Sequence, residues 1–217
     1  MRALMAPGSR HAIFRFRANS LNASVVEDTF PKVMKICFPP GFYNPNSWTK
    51  SPNLFYEFPN GSQIWFGGLD DKERVEKILG QEFVTLYFNE CSQIPYNSVN
   101  TALTRLAQKV MVPADKKKGT TERELLPKAY YDFNPPSKRH WTYQLFVDHK
   151  NPESRQPVSD PFDYSFMFMN PDGNKANLSP SYMSILNNLP ERARKRFLLG
   201  QFADDSEGSL WTDELLE

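Results

Sequence analysis

Residues 85–91 read TLYFNEC: four mostly apolar residues run directly into Asn89 and Glu90. With Phe83 and Val84 in front, the stretch becomes FVTLYFNE, a near-continuous apolar segment of the kind buried on both faces of a parallel sheet. A buried strand that ends in a lone carboxylate admits two readings. Glu90 either caps the next turn and meets solvent, or it is fixed at the rim of a sheet, where a carboxylate can orient a water as general base. The second use normally has Asp where Asn89 stands.

On either side the chain alternates strand and helix patterns. HAIFRFR (11–17) reads as a strand with Arg15 and Arg17 near its end. LNASVVEDTFPKVMKIC (21–37) places Leu21, Val25, Phe30, Val33, Met34 and Cys37 on one helical face, with Pro31 marking a break or a new start. A Pro- and Asn-rich loop (38–53) leads to NLFYEF, PNG and SQIWFGG, two alternating aromatic strands around an Asn-Gly turn, which predicts a hairpin. DDKERVEKIL (70–79), with acids first and bases later, predicts a short helix. SVNTALTRLAQKV (98–110) predicts a helix capped by Ser or Asn, and ADKKKGTTERE (114–124) a charged loop. AYYDF (129–133) is a strand broken by NPP; HWTYQLFVDH (140–149) is a helix; DYSFMFM (163–169) is a further strand. Residues 179–202 carry two helical patterns, capped by Ser179 and interrupted at Pro190. The alternation predicts an α/β fold with a mostly parallel sheet.

Bulk properties narrow the function classes. At 217 residues there is room for one sizeable domain, and a net charge of +1 gives no global polybasic field for nucleic acid. Cys37 and Cys91, far apart and without CxxC or a His cluster, exclude a disulfide scaffold or a zinc ribbon. No apolar run reaches the roughly 18 to 20 residues of a membrane helix, so a soluble, cytoplasmic protein without a membrane partner is expected. The 18 prolines suggest long ordered loops over a sheet.

In parallel sheets ligands sit at the C-terminal ends of strands. Three predicted strands end in polar residues: Arg17, Asn89 with Glu90, and Asp132 to Asn134. In DFNPPSKRHW the stiff Asn-Pro-Pro turn either holds the Asn134 side chain beside a phosphate or a water, or satisfies backbone amides in a plain turn. His140 and Trp141 read as packing residues. KRHW, PERARKR and Lys116 to Lys118 are solvated faces, or contact nucleic-acid phosphates without base readout. No G-x-x-x-x-G-K-[ST] occurs, and GNK at 173–175 lacks both the first glycine and the Ser or Thr.

Five blocks in order carry a resemblance: RFRANSLNASV, NGSQIWFGGLDDKERV, LGQEFVTLYFNECSQI, YYDFNPPSKRHWTYQLF and NPDGNKANLSPSYMSILNNLPERARKRFLLGQF. Together they resemble the ATPase region of the large subunit of tailed-phage terminases, the DNA-packaging motors. The resemblance implies a sheet of P-loop NTPase (ASCE-like) type with a β-hairpin insertion, lacking its first (Walker A) strand. Residues 1–200 would form a partial ATPase domain and 201–217, with EGSLW, the start of a linker to a nuclease domain. ATP and Mg²⁺ are the implied cofactors. By resemblance Asn89 and Glu90 fall on the Walker B pair, Glu90 orienting the attacking water and Asn89 lying near Mg²⁺. Arg17 closes the second strand near the phosphates, and Asn134 falls on the motif that couples to the γ-phosphate. The implied partners are double-stranded DNA, the terminase small subunit, the portal protein and further copies in a ring on the procapsid, in the cytoplasm of a phage-infected host.

The chain departs from the pattern in its missing Walker A segment, with Met1 falling inside the helix that should follow it, and in Asn89 for Asp. It also has Leu79 where many relatives carry an Arg, Arg74 being the nearest substitute. The rival reading is a catalytically inactive remnant or split fragment that acts only as an interaction module. The resemblance places the absent strand beside AYYDF, whose edge would be left open, a surface that invites association. The isolated chain is therefore expected to bind ATP poorly and to be marginally soluble. Tight ATP binding by a monodisperse sample, measured by calorimetry, would contradict this.

Overall fold

The structure, a computed structural model, describes residues 1–70, 80–117 and 119–204. The chain divides into two units, residues 1–132 and 133–217. The helix expected over 70–79, with Arg74 and Leu79, and the EGSLW segment lie largely or wholly outside the described residues.

The first unit opens with a short helix, α1 (Arg2–Met5), and is built on a six-stranded sheet. Its strands are β1 (Arg10–Arg15), β2 (Trp48–Thr49), β3 (Phe55–Glu57), β4 (Gln63–Gly68), β5 (Thr85–Phe88) and β8 (Lys128–Tyr131). They lie side by side in the order β2-β3-β4-β1-β5-β8. The four strands β4, β1, β5 and β8 run parallel, and β2 and β3 are antiparallel additions at one side. The β3–β4 pair is the expected hairpin: Gly61 takes φ +76° and Phe58 N–H donates to Ser62 O across the turn. β8 is the last strand, and its outer edge has no strand partner among the described residues. The charged 114–124 region closes under a small ribbon of β6 (Met111–Val112) and β7 (Arg123–Glu124).

The helical run after β1 continues across Pro31, which lies in the first turn of a new α-helical segment, the second of the two outcomes its sequence allows. It consists of α2 (Ala18–Leu21), a π-helical stretch (Asn22–Thr29) and α3 (Phe30–Cys37). The widened turn just before Pro31 makes room for a ring that would clash with the i−4 carbonyl of a regular α-helix. Leu21, Val25, Phe30 and Met34 from this run meet Tyr56, Phe58 and Phe66 of the sheet in the main core cluster. Phe30 sits at its centre, with ring centroids 5.2–5.5 Å from Tyr56, Trp48 and Phe66. At Gly68 a Cβ would lie 2.6 Å from Ala18 N, so this glycine lets the end of β4 touch the start of α2.

Elsewhere the sequence pattern runs longer than the structure. The 98–110 helix is only α4 (Tyr96–Leu103), entered at Pro95 without a side-chain cap. In the second unit α5 (Trp141–Phe146) is shorter than expected and is capped by His140, whose Nδ1 accepts from Thr142 N–H. Ser179 caps α6 (Pro180–Asn187), accepting from Tyr182 N–H, and Pro190 opens α7 (Glu191–Phe197), as the sequence predicts. DYSFMFM is not a strand. A strand pattern forms one only when a neighbour offers its hydrogen-bonding edge, and among the described residues none pairs with this segment, whose Phe166, Met167, Phe168 and Met169 are exposed. Among the described residues no helix is long and apolar enough to cross a membrane.

His11 is buried in β1, its Nε2 2.9 Å from Ser9 Oγ, which donates to Ser62 Oγ. Burial first, then the Arg2 guanidinium, lowers its pKa from 6.5 to about 4. Between these values the unfolded chain binds a proton that the folded chain does not, so stability falls as pH drops through that window. Urea unfolding is expected to show a loss of about 2 kcal/mol between pH 7 and pH 5 that is largely absent in His11→Gln.

Candidate functional site

Three parallel strands end at one level. Phe14 of β1 is opposite Phe88 of β5, and Phe88 is opposite Tyr131 of β8. The rings are in contact, with Phe14 to Phe88 at 6.1 Å and Phe88 stacked on Tyr131 at 5.0 Å. One residue further along, side chains point to the other face. That next row is Arg15, Asn89 and Asp132.

The row is hydrogen-bonded across the sheet. Asn89 Nδ2 donates to Asp132 Oδ1 and Oδ2 at 3.1 and 3.2 Å, and its Oδ1 accepts a long bond of 3.4 Å from Arg15 Nη1. Arg15 Nη1 donates to Ser24 Oγ at 2.7 Å, so the π-helical stretch steadies the arginine from above β1. Arg15 Nη2 pairs with Glu90 Oε2 at 2.7 Å. Gln93 Nε2 donates to the same Oε2 at 2.7 Å, and Glu90 Oε1 has no partner among the described residues. Glu90 adopts left-handed backbone, φ 49° and ψ 49°, as β5 turns into the short helix Cys91–Gln93. Its N–H donates to Asp132 Oδ1 at 3.3 Å, and Cys91 N–H donates to Asp132 O at 2.9 Å.

Tyr87 lies two residues before Asn89 on the same face of β5. Burial first, then the Asp132 carboxylate, raises its hydroxyl pKa above the usual range. Cys91 is fully buried, and burial followed by the same carboxylate raises its thiol.

Of the residues singled out in sequence, Asn89 and Glu90 lie together on this rim, with Glu90 about one-third exposed. Arg17 is exposed at the N-cap of α2; the arginine in contact with Glu90 is Arg15. Asn134 belongs to the second unit and is exposed, outside any helix or strand. The sequence puts Arg15 near a strand end and Asp132 at one, without a partner for either. The signal was there in the first polar residue after HAIF, TLYF and AYY. Choosing among candidates required the register of three strands far apart in sequence. Among the described residues no three His, Cys, Asp or Glu side chains group to hold a metal by themselves.

The family model of the phage terminase large subunit matches residues 1–167. The chain belongs to that family. Among solved structures it is similar to the large terminase from a thermophilic bacteriophage, at 15% identity and TM-score 0.61, covering 91% of this chain and 41% of that one. The same phage's terminase in complex with ADP gives TM-score 0.58, and in complex with ATP-γ-S 0.59, both at 15% identity. The likeness shows the fold, a mixed α/β unit built on a largely parallel six-stranded sheet. The chain spans about 41% of the thermophilic phage's terminase. No match was found among curated protein sequences.

The two thiols of this terminase chain are expected to behave differently. Cys37 is exposed, whereas the Cys91 thiolate is suppressed. A thiol-disulfide reagent at mildly alkaline pH is expected to modify Cys37 alone in the folded protein and both cysteines in urea. Equal native rates would contradict the buried rim.

Proposed function

We propose that the chain forms the catalytic rim of a terminase ATPase, in which ATP hydrolysis drives the packaging of double-stranded DNA into a procapsid. The observation that carries the reading is Glu90: a carboxylate at the C-terminal end of a central parallel strand, with one oxygen held by Arg15 and Gln93 and the other without a partner among the described residues. Oε1 is the atom that would accept a hydrogen from the attacking water, while the paired Oε2 fixes the side chain's direction.

The residues at the rim fit a Mg²⁺-nucleotide. Mg²⁺ takes one or two protein oxygens and completes its octahedron with phosphates and waters, which suits Asn89 Oδ1 among carboxylates better than a closed protein cage would. Arg15 Nε is a buried N–H without a partner among the described residues, a donor that a nearby anion can satisfy. When bound, Mg²⁺ neutralises charge developing on the transferred phosphoryl group. In this reading Asn89 lies beside the metal, Arg17 near the phosphates, and Asn134 couples the γ-phosphate to motion. The ADP and ATP-γ-S bound by the thermophilic phage's terminase support the same reading. The phosphate cradle is not among the 217 residues, which contain no G-x-x-x-x-G-K-[ST]. The partners that follow are the small subunit, the portal protein, DNA and further copies in a ring, in the cytoplasm of the infected host.

The alternative reading is a catalytically inactive remnant or split fragment that acts only as an interaction module. The reading frame before Met1 separates the two: a G-x-x-x-x-G-K-[ST] there supports the ATPase, unrelated sequence the module. In the intact protein Glu90→Gln is expected to lower ATPase kcat by about 10²–10⁴-fold with little change in ATP affinity. Turnover close to wild type would sink the assignment.

A further inference from the structure

Asp132 is the rim residue to which the ATPase reading gives no role, although both Asn89 and Glu90 bond its carboxylate. It lies one position past β8 and takes bonds from the end of β5. Asn89 Nδ2 donates to both of its oxygens and Glu90 N–H donates to Oδ1. An amide N–H held by a carboxylate is a charge-assisted bond, and it draws electron density through the conjugated amide toward the carbonyl oxygen. Asn89 Oδ1 therefore gains negative character. Its one bond among the described residues is the long 3.4 Å contact from Arg15, which leaves capacity for a further partner.

We propose that Asp132 is a positioning residue that lends Asn89 the negative charge it lacks, fixing the amide with Nδ2 toward β8 and presenting Oδ1 as the oxygen that supports the cation. The inference rests on the nucleotide reading above. In it, the charge ordinarily carried by Asp at the end of this strand is held one strand away and relayed through a neutral amide. A carboxylate at position 89 beside Asp132 would set two like charges about 3 Å apart, so one of them would stay protonated. Asn89 with Asp132 instead carries a single charge and a complete donor-acceptor pair. The arrangement is a partner behind the ligand that orients and polarises it.

The test uses the intact protein with ADP. Free Mn²⁺, the probe, is followed by electron paramagnetic resonance, alongside kcat and KM for ATP and thermal unfolding. Asp132→Asn is expected to weaken Mn²⁺ binding by about 10–100-fold and to raise the Mg²⁺ needed for half-maximal turnover in parallel. The exchange N89D/D132N swaps the charge and the hydrogen-bond direction and is expected to recover Mn²⁺ affinity to within about threefold of wild type. Asp132→Asn with wild-type Mn²⁺ affinity, or an exchange no better than Asp132→Asn alone, would overturn the proposal and leave Asp132 as a strand-end clamp read only in thermal stability. Failure of the nucleotide reading is distinct: wild type would then retain no Mn²⁺ with ADP, or Glu90→Gln would keep full turnover, and the role of Asp132 would fall with it.

Discussion

Everything at the rim depends on the register in which β5 lies between β1 and β8. Phe14 and Phe88 are essentially fully buried on one face of this trio. A slip of one residue would turn them to the opposite face and bring Arg15 and Asn89 into the core. Burying one such ring is worth about 1.5–3 kcal/mol, so the slip is opposed by several kcal/mol of apolar packing. Apolar residues thus fix the level at which polar ones emerge. The three strands leave the core together, and Arg15, Asn89 and Asp132 meet because none of them can move along its strand alone.

That dependence explains what was legible in the sequence and what was not. TLYF reads as a buried strand because the information is local and apolar on both faces, and the hairpin reads because Asn60-Gly61 supplies the backbone its turn requires. Ser179 and Pro190 mark the last two helices for equally local reasons. DYSFMFM has as good a strand pattern as TLYF, yet no partner edge among the described residues, and a partner is not a property of the segment. The π-helical stretch escapes notice because an apolar face at helical spacing does not distinguish i+4 from i+5 bonding, whereas Pro31 does mark the start of α3. The pairing of Arg15 with Glu90 was hidden by the same non-locality. HAIFRFR offers two arginines near its end, and the sheet register brings Arg15 beside Asn89.

The backbone of Glu90 adds an independent argument. A non-glycine residue in left-handed conformation costs roughly 1–2 kcal/mol, and glycine would make the same turn without that cost. The strain is offset locally: Asp132 accepts the Glu90 N–H, and Arg15 and Gln93 hold its carboxylate. A turn that served only to end β5 would need no side chain there and no such support. The strained backbone of Glu90 therefore points to a use for the carboxylate it holds.

Charge balance at the rim leads to the same place. Asn89 is neutral, and with Arg15 opposite it a rim of Asn89 and Glu90 alone would carry no net charge, a poor environment for a divalent cation. Asp132 changes that sum by one negative charge without adding a second carboxylate at the end of β5, where it would compete with Glu90 for Arg15. The substitution that looks like a loss in TLYFNEC is therefore half of a pair whose other member lies 43 residues away, and only the side-by-side pairing of β5 and β8 joins them.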